Sequence, residues 1–266
     1  MDEKKLLRVM RQLALEAGNE ILNIYNSDSV EIRTKADNSP VTLADEISDS
    51  LISKGLRENF PHIPVVTEEQ FQSQNDYYEK FFIVDPLDGT KEFINKRDEF
   101  TVNIALIERG IPIKGVVFAP AMGQLFYTNI DGRAIEEHTP YSAAEFGKQY
   151  HITVSKPDNS SLRIVASESH RDKSTDDYIS SYKFSHIKTA GSSLKFCLIA
   201  RGEADLYPRL GRTMEWDTAA GDAILRAAGG KLADLESLKP LKYGKPNYAN
   251  PFFIAYSDGV VISKNI

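Results

Sequence analysis

One cysteine, one tryptophan and five histidines among 266 residues leave little room for several kinds of chemistry. A lone Cys197 excludes an intrachain disulfide and any zinc cluster built from cysteines, and it suits a reducing compartment. No apolar run approaches the ~18 residues that a membrane-spanning helix needs. Positive charge is in deficit: 32 Lys and Arg against 38 Asp and Glu give a net charge of −6. No global basic field therefore draws in DNA or RNA, and an anionic ligand needs local neutralisation. The opening MDEKKLLRVMRQLALEAG is charged and amphipathic, without the apolar centre or small-residue cleavage site of a signal peptide. The expectation is a cytoplasmic protein. Its first helix lacks the Lys/Arg-plus-aromatic bias of a membrane-surface anchor, and peripheral attachment to the inner membrane stays an open alternative. Monomer and homodimer are not distinguished at this level.

What is present is an ordinary globular composition with enough apolar residues for a substantial core. Leu6, Met10, Leu13, Ala17, Ile21 and Ile24 recur at three- and four-residue steps and predict a helix over 3–25. A second is predicted over about 43–58, with Ile47, Leu51 and Leu56 as its apolar positions and Thr42 with Asp45 as a capping box. Asp37-Asn38-Ser39-Pro40 reads as a turn-rich loop. From 81 to about 133 the pattern is of strands, with a hairpin at Glu108-Arg109-Gly110 and a polar stretch over 134–149 after it. Strands are expected again at 150–154, 162–166, 203–207 and 252–256, and helices at GSSLKFCLIARG and WDTAAGDAILRAAGG. Helices, strands, strands and helices in this order predict two α/β halves packed together, 1–145 and 146–266.

The chemistry concentrates where apolar strands end in acids. In FFIVDPLDGTKEF, residues 81–93, Asp85 and Asp88 emerge from a buried strand three residues apart. Like charges that close resist joint ionisation unless a proton, an arginine or a metal ion compensates them. Pro86 removes a backbone donor and Gly89 permits a tight turn, so a rigid loop should aim both carboxylates, and the Leu87 carbonyl between them, to one side. An oxygen-only set of this kind suits Mg²⁺ or Mn²⁺ rather than zinc. The plainer alternative is a type I turn with aspartate as turn former. Glu68 and Glu69 end another short strand, VVTEE, and Asp217 stands in the first turn of a helix after Trp216. Asp217 read alone is a helix cap, Glu68 a solvated loop charge, and Asp45 the capping-box acid. GSSLK, with Gly191 and Lys195, begins a helix whose free N–H groups suit a phosphate. Ser167 and His170 lie in SESHRD, while Cys197 and Trp216 read as packing residues.

Taken together, TKADNSPVT, TEE, DPLDGTKEF, EFTVNIALI, GSSLKFC and WDTAAG resemble the magnesium-dependent, lithium-sensitive superfamily of inositol monophosphatases over essentially the whole chain. DPLDGTKEF resembles the bisphosphate-nucleotidase branch of that superfamily. The resemblance implies a layered α/β/α/β/α sandwich with the site between its halves. It implies that Glu68, Asp85, Asp88, Asp217 and the Leu87 carbonyl hold two or three Mg²⁺ ions, with Mn²⁺ as substitute and Li⁺ as inhibitor. Asp45 and Thr90 would form the water-activating pair, and Gly89 and Thr90 would touch the phosphate. Glu68, Leu87, Asp88 and Asp217 would also border the substrate, and Ser167, His170, Gly191 and Lys195 would contact its nucleotide part. The implied reaction removes the 3'-phosphate of adenosine 3',5'-bisphosphate to give AMP, in connection with sulfate assimilation. An inositol or sugar phosphate phosphatase is the alternative within the same chemistry. A Mg²⁺-gated sensor of phosphorylated ligands is the alternative of another class, although a sensor has no need of a water-activating pair.

Overall fold

A computed structural model of the chain describes residues 2–27, 32–34, 40–71, 78–167 and 171–263. The first helix, α1 (Glu3–Tyr25), starts where the Asp2 carboxylate accepts the N–H groups of Lys4 and Lys5 at 2.9 and 3.1 Å. Of its apolar stripe, Leu6, Met10, Leu13, Ala17 and Ile21 are buried as their spacing predicts, and Ile24 at the end of the helix is half-buried. A short ribbon, β1 (Ile32–Thr34) against β2 (Pro40–Thr42), leads into α2 (Leu43–Asn59). The predicted capping box is present there: Asp45 Oδ2 accepts the Thr42 N–H at 2.7 Å, and Thr42 Oγ1 accepts the Ala44 N–H at 3.2 Å. The buried face of α2 differs from the expected one. Ile47 is exposed and Leu51 half-buried, while Ala44, Asp45, Ser48, Asp49, Ile52, Ser53 and Leu56 turn inward. This helix carries polar groups toward the interior, so hydrophobicity alone misplaces its face. The loop expected at 37–40 falls mostly outside the described residues.

Seven strands follow as one sheet: β3 (Val65–Thr67), β4 (Lys80–Asp88), β5 (Thr101–Glu108), β6 (Ile111–Ala119), β7 (Gln124–Thr128), β8 (Ala134–His138) and β9 (Lys148–His151), in that spatial order. Among the described strands of this sheet only β3 and β4 run parallel. The predicted hairpin closes at Arg109 and Gly110, both with positive φ (50° and 72°), as a two-residue turn between twisted strands requires. The stretch 134–149 is not simply polar: β8 and the start of β9 lie within it. The pattern hid β8 because its inward Glu137 is charged yet fully buried.

A five-stranded second sheet has the order β11 (Phe184–Ala190), β10 (Leu162–Ser167), β12 (Leu206–Arg209), β14 (Phe253–Tyr256), β13 (Lys231–Asp234). Here β10, β11 and β12 are parallel. The chain passes between sheets over 152–161. Among the described residues five further elements complete the fold: α3 (Thr90–Ile94), α4 (Lys173–Ile179), α5 (Leu194–Ala200), α6 (Ala219–Ala227) and a 3-10 turn (Pro246–Tyr248). Edge strand β11 escapes sequence reading because six of its seven residues are exposed or half-buried and carry no hydrophobic period.

Side-chain alternation sorts the sheet residues between layers. Phe82, Val84, Ile104, Leu106, Val116 and Phe118 pack with α1 and α2. Phe81, Ile83, Ala105, Ile107, Val117 and Phe126 face the other way onto α5 and α6, whose far sides pack on Tyr207, Phe253 and Ala255 of the second sheet. Tyr178 and Ile179 of α4 cover that sheet's outer face. This is the α/β/α/β/α sandwich, and sheets covered on both faces explain why β4 and β5 lack alternation. The layers meet tightly at Gly115 of β6, where a Cβ would stand 2.4 Å from the Ala220 carbonyl oxygen and 2.8 Å from Ala223 Cβ on α6. Gly115→Ala should therefore cost about 1–3 kcal/mol in urea unfolding as the two layers are forced apart; an unchanged midpoint would show that α6 can back away. Among the described residues no helix is long and apolar enough to cross a membrane.

Candidate active site

The parallel strands of both sheets release their C-terminal ends into one cleft, where open α/β sheets bind ligands. Pairing of Thr67 with Val84 and the Glu68 N–H bond to the Val84 carbonyl (3.1 Å) set Glu68 beside Asp85. From the second sheet come Ser167 ending β10, Ser192 and Lys195 after β11, and Arg209 ending β12. The cleft has a volume of about 660 Å³.

In a regular strand, residues three apart face opposite sides. Asp85 pairs with Asn103 and Asp88 with Thr101, so three steps on β4 match two on β5. One residue bulges out, and both aspartates line the cleft. The sequence expectation of a loop beginning at Pro86 is thus corrected: the strand bulges and resumes. Asp85 Oδ1 accepts the Leu87 N–H at 3.1 Å, fixing the bulge from within. Gly89 follows at φ 92°, with the Glu99 carbonyl oxygen 3.2 Å from where its Cβ would be, and starts α3.

Thr90, the first residue of α3, donates from Oγ1 to Asp45 Oδ1 at 3.1 Å, with the Leu87 carbonyl a second acceptor at 3.3 Å. The other oxygen of Asp45, Oδ2, is spent on the N–H and hydroxyl of Thr42, both at 2.7 Å. Asp45 is 1% exposed, and its capping and site-facing bonds use different oxygens. Asp45 therefore caps α2 with one oxygen and holds Thr90 with the other.

Asp217 is not the helix cap. Helix α6 begins after Thr218, which makes no side-chain cap bond. Asp217 Oδ2 instead accepts the Met214 N–H at 2.8 Å, closing a tight loop whose carboxylate lines the cleft. Trp216 packs on Phe71 and Tyr248, with centroids 5.4 and 6.3 Å away, and also lines the cleft.

The electrostatics of this set are one-sided. Burial, then the charges of Glu68, Asp88 and Asp217, raise Asp85 well above the carboxylate range. Burial, then Asp88 and Glu68, do the same to Asp217. Burial pushes Asp88 up to about 6 against the pull of Lys195. Among the described residues no group of three or more His, Cys, Asp or Glu side chains forms a ready-made metal cage. The donor set nonetheless fits a hard divalent cation: four carboxylates and a carbonyl, all oxygen, whose mutual repulsion such a cation relieves.

Lys195 is 4% exposed, and its ammonium donates to the carbonyls of Ala190 (3.2 Å) and Ser192. Burial lowers it to about 8, with Arg209 acting in the same direction and Asp88 against. Ser192 is held at φ 42° in the left-handed region. Gly191 does not line the cleft; its N–H goes to Glu99 Oε2 at 2.8 Å. His170 lies outside the described residues. Sequence reasoning missed Lys91, Arg209 and Arg212, which also line the cleft. The two arginines sit in YPRLGRT, at and just past a strand end, and only that placement could have flagged them. Cys197 is buried core with its thiol pushed up by burial, as expected.

The sequence model of the inositol monophosphatase family matches residues 2–258, and the chain belongs to that family. Among its relatives, the 3'(2'),5'-bisphosphate nucleotidase CysQ of Escherichia coli K12 is 42% identical over 246 residues, spanning 91% of this chain and 96% of that protein. The protein of the same name from Buchnera aphidicola is 43% identical over 233 residues, 86% and 84% of the two chains. The crystal structure of CysQ from Bacteroides thetaiotaomicron superposes with a TM-score of 0.83 at 35% identity, covering 97% of this chain and 98% of that one.

Proposed function

We propose that the protein is a Mg²⁺-dependent phosphatase that removes the 3'-phosphate of adenosine 3',5'-bisphosphate, releasing AMP and inorganic phosphate. The observation that carries this reading is that a carboxylate set, with Asp85 buried and Glu68, Asp88 and Asp217 half-buried, and a separate set of cations, Lys195, Arg209 and Arg212, line one cleft. A substrate with two phosphates, one to be cut and one to be held, matches both. The names of the CysQ relatives support the choice of nucleotide.

Glu68, Asp85, Asp88, Asp217 and the Leu87 carbonyl would hold the Mg²⁺ ions. When bound, Mg²⁺ would supply charge neutralisation of the scissile phosphate, the attacking water and the leaving oxygen. The chain's own part is proton handling and positioning. Thr90 donates its only hydroxyl proton to Asp45, so its oxygen lone pairs are left to accept from a water. A new bond forms between that water's oxygen and phosphorus, and the bond from phosphorus to the ribose 3'-oxygen breaks. The water gives up one proton by way of Thr90 to Asp45, which afterwards returns it to solvent, and a solvent water gives one proton to the leaving oxygen to make the hydroxyl, so protons balance. Phosphoryl transfer of this type needs no covalent nucleophile. Gly89, Thr90, Ser167, Lys195 and Arg209 all line the cleft, where Gly89 and Thr90 would border the scissile phosphate and Ser167, Lys195 and Arg209 the remainder of the nucleotide.

Arg212 is exposed, and among the described residues its guanidinium has no hydrogen bond or ion pair. Its backbone is held in place, because Arg209 Nη2 donates to the Arg212 carbonyl at 3.1 Å. A free guanidinium on a fixed backbone suits the phosphate that is retained. Arg212→Ala should raise KM for the bisphosphate about 5-fold, one exposed charge-assisted contact of ~1 kcal/mol, with kcat unchanged. It should leave KM for a monophosphate alone, and an equal rise for both would remove this role. The reading itself is tested by the product: 5'-AMP is expected, and 3'-AMP as the main product would contradict it.

A further inference from the structure

Beside Asp88 lies a buried polar chain to which the reaction assigns no part. Thr101, Asn103 and Ser193 are at most 1% exposed. Ser193 donates to Asn103 Oδ1 at 2.6 Å, and Thr101 Oγ1 stands 3.3 Å from the same oxygen and 2.9 Å from Ser193 Oγ. With its oxygen engaged by hydroxyls, the Asn103 amide must turn its nitrogen the other way. There Nδ2 donates to Asp88 Oδ2 at 3.4 Å. Ser193 occupies the N-cap position of α5 yet makes no cap bond, although serine in that place ordinarily does. Its hydroxyl serves Asn103 instead. Asn103 pairs with Asp85 across the bulge, so it is fixed by the same backbone that places both aspartates.

We infer that Asn103 is a positioning residue for Asp88, and that Ser193 orients it from the start of α5. The inference rests on the reading of Asp88 as a cation ligand. The Nδ2 of Asn103 can only donate, so it holds Asp88 Oδ2 as an acceptor and leaves Oδ1 to the cleft. Through Ser193 it ties that carboxylate to the segment carrying Ser192 and Lys195, and the two walls of the cleft keep one register. Groups of this kind behind a metal ligand are commonly worth 10- to 100-fold in metal affinity.

The test is Mn²⁺ binding by titration calorimetry, with thermal unfolding of each protein as the control for folding. Asn103→Asp keeps the size of the side chain but sets an acceptor against an acceptor. It should weaken Mn²⁺ binding by about 10- to 100-fold. Ser193→Ala, which leaves Asn103 in place but frees its amide, should give a smaller loss in the same direction. In an Asp88→Asn background the loss from Asn103→Asp should vanish, because the effect runs through Asp88. If the unsubstituted protein binds Mn²⁺ and both single variants bind it equally well, the inference is overturned and the reading of the site stands. An equal loss from Asn103→Asp with and without Asp88 overturns it too. Failure of the unsubstituted protein to bind Mn²⁺ removes the reading of the site and the inference with it.

Discussion

Asp88→Asn is expected to fold and to turn over about 10³-fold or more slowly, the scale on which removal of a preorganised electrostatic group is felt. The substitution keeps the shape, the hydrogen-bonding reach and the bulge, and deletes one negative charge from the cation-binding set. The same variant carries a stability signature that separates function from folding. Burial raises Asp88 from the ordinary 3.8 to about 6, so the fold disfavours its charge. A group whose pKa is raised on folding takes up a proton in the native state before it does so in the unfolded chain. Without metal, the unsubstituted protein therefore gains stability as pH falls from above 6 toward 3.8, and asparagine lacks that gain. Metal-free Asp88→Asn should be at least as stable as the parent at pH about 8, with the difference shrinking by pH about 5. Rate assays and thermal unfolding at these two values check both halves. Near-parental activity would remove Asp88 from the site; a large loss of stability at high pH would make it a structural residue.

The second large effect lies far from the cleft. Arg11 on α1 and Glu137 on β8 form an ion pair with side chains 1% and 0% exposed. Nε donates to Glu137 Oε2 at 2.8 Å, Nη2 to Oε1, and Nη1 to the Ser142 carbonyl at 2.7 Å. Tyr127 donates to Oε2 at 3.0 Å and the Gly147 N–H to Oε1 at 2.7 Å. Phe146 lies 4.7 Å from the guanidinium carbon. Every lone pair and most protons are therefore used, and the 139–147 connection is fastened to α1 and the sheet. Glu137→Ala strands a buried guanidinium and should cost about 3–5 kcal/mol in urea unfolding. The double replacement Arg11→Met with Glu137→Leu should recover most of that, because it removes both charges and refills the space. A loss below about 1 kcal/mol for Glu137→Ala would show that water reaches Arg11.

This pair also marks where sequence reading ends. Arg11 and Glu137 carry no local signal: each looks like a surface charge on an amphipathic element, and only tertiary pairing buries them. Helix α1 was legible because its stripe is apolar throughout, whereas the inward face of α2 is partly polar and was misread at Ile47. At the site, Asp85, Asp88, Thr90 and Asp45 were legible because strand-end acids, a turn glycine and a capping box are local patterns. The mutual approach of Glu68 and Asp217 to them was implied only by the family resemblance and by no local pattern, since it depends on how the two sheets present their strand ends. The bulge that turns Asp85 and Asp88 to one side follows from a count across two strands, which no single stretch records. Arg209, Arg212 and the Asn103–Ser193 contact likewise exist only once β5, α5 and β12 meet.

The central claim is tested most directly by phosphate release from adenosine 3',5'-bisphosphate and from inositol 1-phosphate, side by side, each with and without Mg²⁺. The account predicts release that requires Mg²⁺ and strongly prefers the nucleotide. Preference for inositol 1-phosphate would contradict the assignment of the cations to a second phosphate while keeping the carboxylate site. Release from neither, with Mg²⁺-dependent binding of the nucleotide, would contradict catalysis itself.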